Sequence, residues 1–184
     1  MDIDRAQEEL RAAYQGGAPG VLISGLAWLI ADAAWYVMDG FIAFLVLLVA
    51  GMLIFPLSLL VARLFRAPRV SQGNALNKLA IEATIPLFAG LLIAFVLAPR
   101  SPEFAFAALA IVIGARYFAF ATLYRERVYW LLGGALFLIG TGFAVQAGAL
   151  PVHVTLAVGA AELLFGALLF TRWNAAAAAA PAAA

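Results

Sequence analysis

The stretch IGARYFAFATLYRERVYW, Ile113–Trp130, decides the fold. Its first part is an apolar run that keeps one arginine, Arg116, with no acid within a helical turn of it. The run stops at Arg125-Glu126-Arg127, and a second apolar run opens at Tyr129-Trp130. Apolar segments that end on arginines and amphipathic aromatics are what a membrane-spanning helix needs where it meets water.

The rest of the chain repeats this pattern. Of 184 residues, 66% are hydrophobic and 11% charged, and the mean hydropathy is +1.04. A soluble domain of this size could not hide so much apolar surface. Six apolar segments of spanning length are expected at roughly 20–38, 41–63, 79–98, 104–124, 129–148 and 151–171, each close to the ~20 residues that cross the hydrocarbon. The class is therefore all-α, a polytopic membrane protein with a bundle of six transmembrane helices. Tight turns are expected at Met38-Asp39-Gly40 and Gly148-Ala149-Leu150-Pro151.

Orientation follows from where the cations lie. With the N-terminus inside, Arg5, Arg11, Arg63, Arg66, Arg69, Lys78, Arg125, Arg127 and Arg172 are cytoplasmic and only Arg100 is outside. The positive-inside rule thus predicts both termini in the cytoplasm. Tyr124, Tyr129, Trp130 and Trp173 form the matching inner aromatic belt, with Trp35 and Tyr36 toward the outer one.

Three regions are expected. Residues 1–17 form an amphipathic N-terminal segment, with Ile3, Ala6, Leu10 and Ala13 on one face, which lies on the membrane or caps the bundle and stops at Gly16-Gly17. Residues 18–173 form the six-helix transmembrane domain, and residues 174–184 an Ala-rich low-complexity tail. The largest loop, Phe65–Lys78, is basic and rich in turn formers, suited to an anionic leaflet.

Several chemistries are excluded or disfavoured. There is no cysteine and a single histidine, His153, so no disulfide, thiolate chemistry or histidine-rich metal site is expected. No glycine-rich phosphate loop supports nucleotide binding. Ser24 and His153 fall at opposite ends of their spans and cannot form a protease dyad. No cofactor, metal, nucleic-acid partner or catalytic residue is expected.

What remains is a set of costly polar groups. A charge near the bilayer centre costs ~2.5–3.5 kcal/mol on insertion scales and normally faces a partner inside the bundle. At ~1.5 Å per residue, Arg116 lies about 18 Å and Glu162 about 16 Å from the outer side, so the two share a depth. Gly159, Glu162 and Gly166 share one small-residue face. Glu82 is the rival partner, reached if the arginine stem snorkels toward the cytoplasm. Either pairing could be a structural ion pair that only sets helix register. Asp32 has Trp28, Trp35 and Tyr36 as helical neighbours, which suits an organic cation or an exchangeable proton, or simply an interfacial aromatic belt. Pro56 and Pro86 should each free a carbonyl one turn earlier, the second at Glu82 itself, and Tyr117 sits in the same polar half. A short match between the segments after Glu82 and Glu162 raises an inverted three-plus-three repeat.

The blocks FPLS (Phe55–Ser58), NALNKLAIE (Asn74–Glu82), GARYFAFATLY (Gly114–Tyr124) and YWLLG (Tyr129–Gly133) resemble those of a family of uncharacterised small bacterial membrane proteins, with Ala75 where proline is expected. The resemblance implies a bacterial inner membrane protein and carries no activity. It spans roughly the first 145 residues, which places Arg116 and Glu82 within its blocks and Glu162 outside, and so favours Glu82 as the partner.

The expected function is a small transporter or channel-like protein with a polar intramembrane site at Arg116, Glu82 and Glu162, joined by Tyr117, and with Asp32 and Trp28 forming a second candidate. Its partners would be the lipid bilayer and a small ion or lipid ligand, and a homodimer is compatible with six short helices. The alternative is a non-catalytic scaffold or sensor whose buried charges only fix packing. A lipid-processing enzyme using Glu82 as base is a third option.

Overall fold

The computed structural model describes residues 2–146 and 151–179. They form helices α1 (Ile3–Ala13), α2 (Ala18–Val37), α3 (Gly40–Leu64), α4 (Ala75–Glu82), α5 (Ile85–Leu97), α6 (Pro102–Leu123), α7 (Val128–Val145) and α8 (Val154–Ala179). Six spans long and apolar enough to cross a membrane result, with α4 and α5 making one of them. The expected turn at Gly148–Pro151 lies mostly outside the described residues. Of the Ala-rich tail, α8 takes in Asn174 to Ala179.

Spans pack in chain order around a ring, α2 on α3, α5 on α6, α6 on α7, α7 on α8 and α8 back on α2. The ring is least closed between α3 and α5, and α3 leans on α6 instead. Burial follows this. In the most apolar windows of α3 and of α4–α5 only 11% of residues are buried, against 39% in α2 and 44% in α6. Spans two and three are thus the lipid-facing edge, where exposed Leu, Ile and Phe cost nothing because the solvent is hydrocarbon. The centre is Trp28, Phe44, Phe106, Leu132, Leu136 and Val158, with Phe106 packed edge-on to Phe44 at 5.7 Å and tilted against Trp28 at 5.9 Å.

Proline acts differently in the two places that carry it mid-span. Pro56 lies within a continuous α3. Pro86 sits in the first turn of α5, where its missing N–H is harmless, and the span breaks at Ala83-Thr84 just before it. Thr84 Oγ1 donates to the Ala80 carbonyl at 3.2 Å, which satisfies one acceptor at the break.

The N-terminal helix caps the bundle rather than lying free on a surface. Leu10 is fully buried and Ala6 and Ala13 nearly so. Gln7 Nε2 donates to the Thr122 carbonyl at 2.6 Å, and Tyr14 OH to Asn77 Oδ1 at 3.3 Å. Chain reversal into α2 uses Gly16 (φ 62°) and Gly17 (φ 79°), left-handed values open to glycine. Loop 65–74 is tied to α1 by one carboxylate: Glu9 accepts from the Ser71 amide, from Ser71 Oγ at 3.0 Å and from Asn74 Nδ2 at 2.8 Å.

Those donors, the Ser71 amide first, hold Glu9 below the usual glutamate value of 4.5. The folded-state value is depressed, so the stabilisation is present above 4.5 and fades as pH falls through the lower folded value. Amide exchange at Ser71 is expected to be slow from neutral pH down to that region and to accelerate below it. Glu9→Gln should exchange fast throughout, and a pH-dependent protection surviving in that variant would refute the link.

Candidate functional site

Adjacent helical residues point 100° apart, and that angle settles the fate of Arg116. Tyr117 turns inward toward α8, while Arg116 turns toward the α4–α5 break. Its Nη2 donates to Thr84 Oγ1 at 3.2 Å, and its guanidinium carbon stands 4.8 Å from the centre of the Phe120 ring. Its Nε is buried and has no hydrogen-bond partner among the described residues. Among the described residues no acid oxygen lies within 4.0 Å of Arg116. Neither expected ion pair forms. Glu82 is exposed at the last residue of α4, because the break turns it out of the bundle and the Thr84 hydroxyl takes its place. Glu162 is taken by Tyr117, the neighbour of Arg116, and stays beyond 4.0 Å of the guanidinium.

Glu162 is fully buried. Tyr117 OH donates to its Oε1 at 2.6 Å, and Oε2 has no hydrogen-bond partner among the described residues. Buried Ser24 of α2 stands near the same carboxyl without a well-formed hydrogen bond to it. The polar centre therefore joins spans one, four and six, with Arg116 at its edge and without Glu82. From Tyr117 a file of buried tyrosine rings leads toward the basic end: Tyr117 to Tyr129 at 5.8 Å, and Tyr129 to Tyr124 at 5.7 Å. Tyr129 OH closes it on the Gly16 carbonyl at 2.7 Å.

A second polar station lies toward the other end of the α2–α8 seam. Buried Asp32 Oδ1 accepts from Thr155 Oγ1 at 2.6 Å and lies 3.2 Å from His153 Nδ1. Trp35 stacks on the imidazole at 4.3 Å and Tyr36 lies 4.9 Å from it. The aromatic face expected to receive an organic cation is thus occupied by the chain's own histidine. Trp28 is buried against Phe106. Ser24 and Asp32 are eight residues apart, about 12 Å along the helix, and Trp28 lies midway between them. Two polar stations flank an apolar plug. The supposed repeat between the Glu82 and Glu162 segments gains nothing here, since one acid is exposed at a helix end and the other buried in mid-helix.

Glu126, read above only as part of a boundary cluster, is buried. Arg125 takes a left-handed conformation (φ 49°) in the α6–α7 turn, and the Glu126 amide reaches back to the Ala121 carbonyl at 3.1 Å. This turn points the carboxylate inward, where Arg172 Nε lies at 3.3 Å and Arg11 Nη2 at 3.6 Å. One acid thereby ties α1, the α6–α7 turn and α8 together. An acid between two arginines in the sequence was the available signal, since flanking cations compensate a carboxylate.

Fold and site define a small polytopic helical membrane protein with charged and hydroxyl groups inside its bundle. The chain belongs to DUF7010, a family of unknown function, whose model matches residues 3–172. The match reaches past Glu162, so that acid lies inside the family's span and not beyond it as the shorter resemblance implied. No curated protein and no solved structure matches the chain.

Proposed function

We propose that the chain is a proton-linked small transporter or channel of the bacterial inner membrane, with both termini cytoplasmic. One observation carries this: Glu162, fully buried, holds one oxygen on Tyr117 and leaves the other without a partner. An intramembrane carboxyl kept in that state can take up and release a proton, the use to which membrane proteins put such groups. Asp32 with His153 supplies the station toward one side and the tyrosine file the path toward the other, with Trp28 as the barrier between them. The gathering of basic residues at the Glu126 end supports the orientation.

The test is proton movement in proteoliposomes under an imposed pH gradient. The wild type should dissipate the gradient, and Glu162→Gln, which keeps the shape but holds no exchangeable carboxyl proton, should fall to the level of empty vesicles. A wild type no faster than empty vesicles, or a Glu162→Gln protein as fast as wild type, would sink it.

A structural role has one observation in its favour. A Cβ placed on Gly25 would stand 3.0 Å from the Leu163 amide and 3.1 Å from Glu162 Cβ, so α2 and α8 are pressed together at the acid. In that case Glu162 pins a helix crossing, and the flux experiment separates it from transport.

A further inference from the structure

At the basic end an open cavity of about 460 Å³ is lined by Glu126, Arg127, Val128, Trp130, Leu131 and Arg172. Its composition changes with depth. Arg127 and Arg172 are exposed at the rim, while Trp130 and Leu131, 59% and 64% exposed, continue onto the outer face of α7. Buried Glu126 binds Arg172 through Nε at 3.3 Å. This fixes the guanidinium, whose terminal nitrogens donate no hydrogen bond to an acid among the described residues. Arg127 has no acid partner among them either. Arg11 also lies on Glu126, at 3.6 Å, so two cations contact the carboxylate while Arg127 lines the same cavity without an acid, and the cluster keeps a positive excess.

We infer that this groove is a binding site for an anionic phospholipid. The headgroup phosphate sits between Arg127 and Arg172, and the first carbons of an acyl chain lie along Trp130 and Leu131. Guanidiniums match phosphate oxygens in a planar fork, and an indole with an aliphatic neighbour below a basic rim is the surface presented at the headgroup level of a leaflet. A free phosphate would use the rim alone. A zwitterionic lipid would bring its own cation against the arginines. The site is separate from the Glu162 centre and stands whether or not the chain transports anything.

The experiment is native mass spectrometry of the full-length protein in detergent, titrated with phosphatidylglycerol or phosphatidylcholine, and with inorganic phosphate as competitor. Retention of phosphatidylglycerol over phosphatidylcholine is expected. Arg127→Gln should weaken it about fivefold, the usual worth of one basic residue at a lipid surface. Trp130→Ala, which leaves every charge in place, should also lower it. Arg66→Gln with Arg69→Gln, twice the loss of charge elsewhere on the basic end, should leave it unchanged. Equal loss in that pair would mean general surface attraction and overturn the site. So would full displacement by inorganic phosphate, or indifference to both Arg127→Gln and Trp130→Ala. Arg172→Gln is not needed for the decision, which matters because it also disturbs Glu126.

Discussion

Gly114→Val is expected to unfold or disperse the bundle, with a loss of about 1–3 kcal/mol or more. A Cβ on Gly114 would stand 2.8 Å from the Gly133 carbonyl oxygen and 2.8 Å from the Phe137 amide nitrogen. The reverse is also true, since a Cβ on Gly133 would lie 2.7 Å from the Gly114 oxygen. These neighbours are backbone, which cannot swing aside as a side chain can. Accommodating even one methyl means separating α6 from α7, and that seam also aligns Tyr117 with Tyr129. Close approach of small residues is what replaces the hydrophobic effect between helices in lipid. Gly134→Ala is the control, because nothing stands within 4 Å of its Cβ. It should be neutral or slightly stabilising through helix propensity. Thermal unfolding in detergent, read with size-exclusion homogeneity, compares the two, and equal melting temperatures would show that the α6–α7 contact is not as close as stated.

The same glycines show what could be read in the chain and what could not. Apolar length alone places the spans, because the hydrocarbon thickness leaves a helix few alternatives. Gly16-Gly17 likewise marks a stop by local sterics, and α1 ends just before it, whereas Pro86 predicts a kink and the span instead breaks at Ala83-Thr84 ahead of it. Depth was also accessible for each charge, by counting residues along a span. Azimuth was not. Arg116 reaches Thr84 while Glu162 is held by Tyr117, and nothing local to either residue says which helix each will face. Depth plus a single-residue rotation puts Tyr117, and not Arg116, against the acid. The pair of Asp32 with His153 was hidden for the opposite reason. Residue counting puts both toward the same end, but the helical neighbours of Asp32 in the sequence are Trp28, Trp35 and Tyr36, and His153 lies 121 residues away. Glu82 misled because a helix break next to proline reverses the inward direction that a continuous helix would have given it.

The second large effect concerns the centre itself. Tyr117→Phe is expected to cost about 1–3 kcal/mol, because it strips the Tyr117 hydrogen bond from a fully buried carboxyl. Glu162 would then keep only the Ser24 hydroxyl nearby as a donor, without a well-formed hydrogen bond to it. Glu162→Met with tyrosine intact should cost a comparable amount, leaving the Tyr117 hydroxyl unpartnered. Combining Tyr117→Phe with Glu162→Met removes donor and acceptor together and leaves an apolar contact of similar volume. Such double replacement is often close to neutral. The double variant should therefore be more stable than either single one, with a coupling that cancels most of their sum. Additive losses would mean that the hydroxyl and the carboxyl do not depend on each other, and the hydrogen bond would carry no weight. The cycle also bears on what the acid is for. A double variant that is as stable as wild type but moves no protons in vesicles shows that Glu162 adds no net stability and is kept for its chemistry. A stable double variant with every activity intact makes it a packing device that leucine-like side chains could replace.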